Sequence, residues 1–105
     1  MGRIVAVAYK PKEGGENALK NLIEKHVPIL REQGLASERR PIIMQSNDGT
    51  IVEIFEWNSK DAIQKAHTNE VVQDLWKEFA AVCDYVPLSS VAEVVGLFSE
   101  FEALN

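Results

Sequence analysis

The chain carries one cysteine, Cys83, in 105 residues, so an intrachain disulfide is excluded. Long apolar runs are missing too. The run near the start, Ile4 to Tyr9, is six residues long, too short for a signal peptide or a membrane span. A cytoplasmic location without membrane attachment is therefore the expectation. The opening Met-Gly is followed by Ala6 where a myristoylation pattern asks for Ser or Thr. Positive charge is scarce: 11 Lys and Arg against 16 Asp and Glu leave a net charge of −5. Arg39-Arg40 is the only basic cluster. Phosphate binding needs many such groups, so a nucleic-acid partner is not expected. There is no internal repeat and no low-complexity stretch. The two histidines, His26 and His67, lie far apart and lack the close Cys or carboxylate spacing of a zinc site, so no metal is expected. Gly14-Gly15 precede a helix without the spacing of a phosphate-binding loop.

The residues that are present have the balance of a globular protein, 46% hydrophobic and 26% charged, and the length suits a single domain over residues 1–105. "RIVAVAY", residues 3–9, is β-branched and apolar and reads as a strand. Leu19, Leu22, Ile23, Val27 and Leu30 fall at helical spacing, and Gly34 stands just past that helix. Pro28 lies inside it and predicts a kink. Two strand-like runs flank Asn47-Asp48-Gly49, a hairpin signal. A helix follows from about Ser59, with Asn58 as its expected cap, and a second restarts at Asn69. Val72, Leu75, Trp76, Phe79, Ala80 and Cys83 then form one apolar stripe. "DYVPLSSV" reads as a last strand, and Ser90 to Glu93 has capping-box spacing for a short helix through Phe98.

This order gives a core over residues 3–90 and a tail over 91–105. It predicts an α+β, ferredoxin-like βαββαβ fold with a four-stranded antiparallel sheet. Strands one and three are then central. Pro41 and Pro87 fall in the two proposed edge strands, where a missing donor is tolerated. Strand one is apolar on both faces. In strand three Val52 and Ile54 point one way, and Ile51, Glu53, Phe55 and Trp57 the other. Helices cover only one face of such a sheet. Glu53, Phe55 and Trp57 are assigned to the second face, and a second copy of the chain is expected to cover it. A large aromatic contributes roughly 1.5–3 kcal/mol when buried.

The whole order, and above all "EIFEWNSKDAIQKAHTNEVVQDLWKEFAAVCDYVPL", resembles the antibiotic biosynthesis monooxygenase-like family of dimeric α+β barrels. The shared pattern is a third strand ending in Trp57, a turn bearing Ser59, a short helix ending in Ala66-His67, a break at Thr68-Asn69, and a helix bearing Trp76. The resemblance spans about residues 3–90. It implies a homodimer, a cavity between sheet and helices, and oxidation of an aromatic or apolar small molecule by oxygen without a cofactor. In such chemistry the electron-rich substrate supplies the reducing power, and the protein binds the ring, desolvates it and helps remove a proton. Relatives that degrade haem carry an Asn on strand one, a Trp late in the following helix and an axial His. Ala66 and Trp76 occupy the latter two positions here and strand one has no Asn, which argues against haem degradation.

The candidate catalytic residues are His67 and Glu53. His67 ends a helix, so it reads either as a cavity base or as a cap favoured there by the helix dipole. Glu53 lies among apolar residues, and a carboxylate buried in a cavity is a candidate proton acceptor; the other reading is a solvent-facing Glu paired across the hairpin. Trp57, Phe55, Trp76 and Tyr9 are the candidate substrate contacts, with Trp76 and Phe79 also core residues on their stripe. His26 reads first as a packed histidine beside the expected kink, and Cys83 as inert packing. The alternatives to an oxygen-using enzyme are a non-catalytic ligand-binding or stress-response dimer, and a proton-transfer enzyme such as an isomerase. An RNA-recognition domain shares the strand order but needs exposed aromatics on strands one and three within a basic surround.

Overall fold

A computed structural model describes residues 1–105. The apolar run after Gly2 forms β1 (Arg3–Pro11), and the Leu/Ile stripe forms α1 (Glu16–Glu32). α1 runs through Pro28 as one helix and ends before Gly34, which takes the left-handed conformation at φ 74°. The hairpin signal becomes β2 (Ile42–Gln45) and β3 (Ile51–Trp57), with the turn closed by the Ser46 amide donating to the Thr50 carbonyl at 2.9 Å. Gly49 sits at φ 92°, a conformation that costs glycine little and other residues much. Helices α2 (Lys60–Ala66) and α3 (Glu70–Val82) follow. Ser59, not Asn58, caps α2, accepting from the Ala62 amide at 3.1 Å. Asn69 caps α3, accepting from the Val72 amide at 3.0 Å. These caps satisfy donors that a helix start leaves unpaired.

β4 (Cys83–Val86) follows α3 without a loop, and β5 (Glu102–Ala103) comes after two short 3-10 turns, Leu88–Ser90 and Ala92–Val95. The chain is thus α+β, with three helices on an open sheet of five antiparallel strands in the order β4-β1-β3-β2-β5. The inner order β4-β1-β3-β2 is compatible with the ferredoxin-like plan. The expected count of four strands is corrected to five. β2 would be an edge with unpaired backbone groups, and the tail returns to pair with it. The Leu104 amide donates to the Ile43 carbonyl at 2.8 Å. The Asn105 side chain accepts from the Ile43 amide at 3.0 Å and donates to the Pro41 carbonyl at 2.7 Å. Pro41 and Pro87 lie just outside the strands rather than within them. The helix expected through Phe98 is replaced by the two 3-10 turns.

The two sheet faces differ in what covers them. Phe55 and Trp57 pack with Val27 and Leu30 of α1, Ala62 and Ala66 of α2, and Val72 of α3. Glu53 shares their parity and meets α1. The expectation that Glu53, Phe55 and Trp57 face away from the helices is therefore overturned. The alternation was read correctly, but one buried carboxylate among apolar residues does not mark a solvent or partner face when a helix supplies its partner. On the opposite face Ala8 and Val52 pack beneath Val91, flanked by Leu88, Val94 and Phe101. The chain's own tail covers the centre of that face, which corrects the expectation that only a second copy has residues to spare for it. Ile4 and Ile42 on the same face stay exposed at 59% and 55%. Leu97 and Phe98 of the tail are 92% and 88% exposed.

Candidate functional site

A cavity of about 370 Å³ lies between the sheet and the helices. Strand β1 sends Val5, Val7 and Tyr9 into its wall, β3 sends Phe55 and Trp57, and β4 sends Tyr85. The period of two that aligns Val5, Val7 and Tyr9 is what gives one strand three wall residues. The helices add Trp76 from α3 and His26 from α1. His26 is the one wall residue that is not hydrophobic. A mostly apolar hollow with few polar groups is the usual form of a small-molecule site.

Two of these wall residues, Tyr9 and His26, meet Glu53 behind the wall. Glu53 is 0% exposed, Tyr9 2% and His26 3%. The Tyr9 hydroxyl donates to Glu53 Oε1 at 2.7 Å, and His26 Nδ1 lies 2.8 Å from the same oxygen. Oε1 accepts from the phenol, and an imidazole nitrogen facing an ionised carboxylate is the donor, which corresponds to the tautomer with its hydrogen on Nδ1. The Tyr9 phenol is held well above its ordinary pKa, first by burial and then by the negative charge and hydrogen bonding of Glu53. It therefore stays an O–H donor. Glu53 Oε2 is buried and has no partner.

Aromatic edges fix the imidazole in place. Its ring meets Phe55 at 5.3 Å and 79°, and Phe79 at 5.2 Å and 70°. Phe79 also stacks on Tyr9 at 5.2 Å. With Nδ1 committed to Glu53, His26 Nε2 is left without a hydrogen bond in the chain, on a residue that lines the cavity. This arrangement can pass a proton between the imidazole and a bound molecule. Tyr85, tilted on Tyr9 at 5.5 Å and half exposed, stands at the rim; burial first raises its pKa to about 12.

Of the residues the sequence singled out, Tyr9, Phe55, Trp57 and Trp76 come together in the cavity wall. Glu53 sits behind the wall and meets the cavity only through its two wall partners, His26 and Tyr9. His67 is not brought to them. It is exposed at the end of α2, edge-on to the outer side of Trp76 at 5.5 Å, in a polar cleft with Glu70, Gln73, Asp74 and Lys77. Of the two readings of His67, cavity base or helix cap, the structure places it at the cap position of α2 and outside the cavity wall. His26 is packed and hydrogen-bonded as its first sequence reading has it, and what that reading missed is its place in the cavity wall. Its signal was present: it shares a stripe with Leu22, Ile23, Val27 and Leu30, and Glu53 shares a parity with Phe55 and Trp57.

The remaining reactive groups stand apart from the cavity. The Cys83 thiol donates to the Phe79 carbonyl at 3.2 Å, and burial pushes its pKa up to about 11, so it is a poor nucleophile. Gly14 takes a left-handed turn conformation at φ 78°, and Gly15 is closely packed. A side chain on Gly15 would place its Cβ 2.5 Å from the Val82 carbonyl oxygen. No three His, Cys, Asp or Glu side chains converge as a metal-binding group. No helix is long and apolar enough to cross a membrane. The chain matches no family model, no curated protein and no solved structure.

Proposed function

We propose that this chain is a small enzyme of the antibiotic biosynthesis monooxygenase-like kind, acting as a homodimer on an aromatic or apolar molecule. His26 carries the reading: it is the one imidazole in the wall, its Nδ1 is held by Glu53, and its Nε2 is free. A flat ring enters between Trp57, Trp76 and Phe55. His26 Nε2 takes a proton from an acidic C–H or O–H of that ring, leaving an electron-rich anion. The anion reduces molecular oxygen. For a ring methylene the balance is CH₂ plus O₂ to C=O plus H₂O: one oxygen atom enters the product and the other leaves as water. The substrate supplies all four electrons, so the reaction invokes no cofactor. The apolar wall excludes water from the anion. Exposed Ile4, Ile42, Leu97 and Phe98 support the homodimer, because a second copy would bury them.

Oxygen uptake with a panel of hydroquinones and anthrones tests the proposal. The expected result is uptake above buffer, reduced in His26→Ala by about 10²- to 10⁴-fold, the usual worth of a general base. His67→Ala is expected to retain the wild-type rate. No uptake with any of these substrates, or a His26→Ala variant as fast as wild type, removes the proposal for them.

A second reading is a non-catalytic ligand-binding or stress-response dimer of the same fold. One observation favours it: of the two expected proton acceptors, His67 lies outside the cavity and Glu53 behind its wall. It predicts that apolar rings quench the fluorescence of Trp57 and Trp76 without being consumed.

A further inference from the structure

We infer that Tyr9 is a positioning residue for His26: acting through Glu53, it holds the imidazole with its hydrogen on Nδ1 and presents Nε2 alone to the cavity. The inference rests on His26 being the working group. Glu53 lies mid-strand in β3, paired with Val7, and Tyr9 is two residues further along β1, diagonal to Glu53 on the same face. That geometry lets the phenol reach the carboxylate oxygen His26 uses rather than the other one. Oε1 takes both hydrogen bonds and Oε2 takes none. A carboxylate bonded to His26 alone would be free to rotate and offer either oxygen. The Tyr9 hydroxyl removes that freedom by fixing Oε1 in place.

Tyr9 is itself anchored. Its ring stacks on Phe79 at 22°, and Phe79 also packs edge-on to His26, so one phenyl ring braces both donors. A flip of the imidazole by half a turn would replace Nδ1 by a carbon opposite Oε1, and a hydrogen moved to Nε2 would leave Nδ1 facing a carboxylate with no donor. Both departures forfeit a charge-assisted hydrogen bond in a buried setting. Tyr9 need not touch a ligand to act in this way, although its ring also forms part of the wall.

The test separates positioning from space-filling. Tyr9→Phe keeps the ring and its stacking and removes only the hydroxyl. The chain has two histidines, so the imidazole nitrogens of ¹⁵N-labelled full-length protein are assigned with one His26→Gln sample. Exposed His67 then serves as the internal reference. In wild type the Nδ1 of His26 is expected to carry a hydrogen. In Tyr9→Phe the Nδ1 of His26 is expected to keep its hydrogen, because Glu53 still faces it, while the His26 nitrogen signals shift and broaden as the unanchored carboxylate swings and those of His67 stay in place. Glu53→Gln, which keeps the side-chain size and removes the charged acceptor, is expected to move the Nδ1 and Nε2 signals toward each other as both tautomers become populated. In the oxygen-uptake reaction, Tyr9→Phe is expected to lower kcat about tenfold, the rate equivalent of one hydrogen bond, at unchanged KM. A bare Nδ1 in wild type, or variants whose His26 signals coincide with wild type, would overturn the inference. The spectra need no turnover, so an absence of oxygen uptake would remove the proposed reaction without deciding this one.

Discussion

Each member of the Tyr9–Glu53–His26 set is nearly or fully buried, and Glu53 is the shared acceptor, so deleting any one costs the others a hydrogen bond. His26→Leu removes one charge-assisted hydrogen bond from the buried Glu53 carboxylate and leaves it on the Tyr9 hydroxyl alone, a loss of about 1.5–3 kcal/mol. Replacing the whole set, Tyr9→Phe with His26→Leu and Glu53→Leu, removes every polar atom together and is expected to regain most of that loss. Urea denaturation of the single and triple variants measures the difference; additive losses would contradict the coupling. Sequence reading reached Tyr9 and Glu53 but ranked His67 above His26. A histidine after a short helix and a histidine on an apolar stripe look equally ambiguous along the chain. Only Glu53 Oε1, 27 positions from His26, separates them.

At the scale of elements, the local signals were the legible ones. The β2–β3 turn is an example: Asp48 accepts from the Ser46 hydroxyl and, at 2.9 Å, from the Thr50 amide. These bonds, the Ser46 hydroxyl foremost, lower the Asp48 carboxyl from 3.8 to about 2. A depressed carboxyl stabilises the fold above its unfolded value and loses that contribution as pH falls through its folded value. Wild type is therefore expected to out-melt Asp48→Asn above pH 4, with the gap closing between pH 4 and pH 2; thermal melts across that range check it. A gap that persists at pH 2 would assign the effect to something other than ionisation. Helix starts were legible to within a residue: α3 begins at Asn69 as expected, whereas the cap of α2 is Ser59 and not Asn58. β5 was not. Two residues carry no periodicity, and their strand exists only because β2 offers an unpaired edge.

At the scale of the whole molecule, the outer sheet face and the tail are one problem. Residues 88–101 roof the middle of the face, yet Ile4, Ile42, Leu97 and Phe98 remain open. If a second copy covers them, sedimentation at micromolar concentration gives a dimer, and Ile4→Asp with Ile42→Asp gives a folded monomer. A wild-type monomer would end the homodimer proposal. The sequence by itself determined the alternation of β1 and β3, the helical stripes and the hairpin, because each depends on residues a few positions apart. Tertiary structure alone decided which face of β3 the helices took, which histidine met Glu53, and what the tail covered. Those outcomes depend on contacts between distant segments, where a charge buried at one point is stable only if another segment brings its partner.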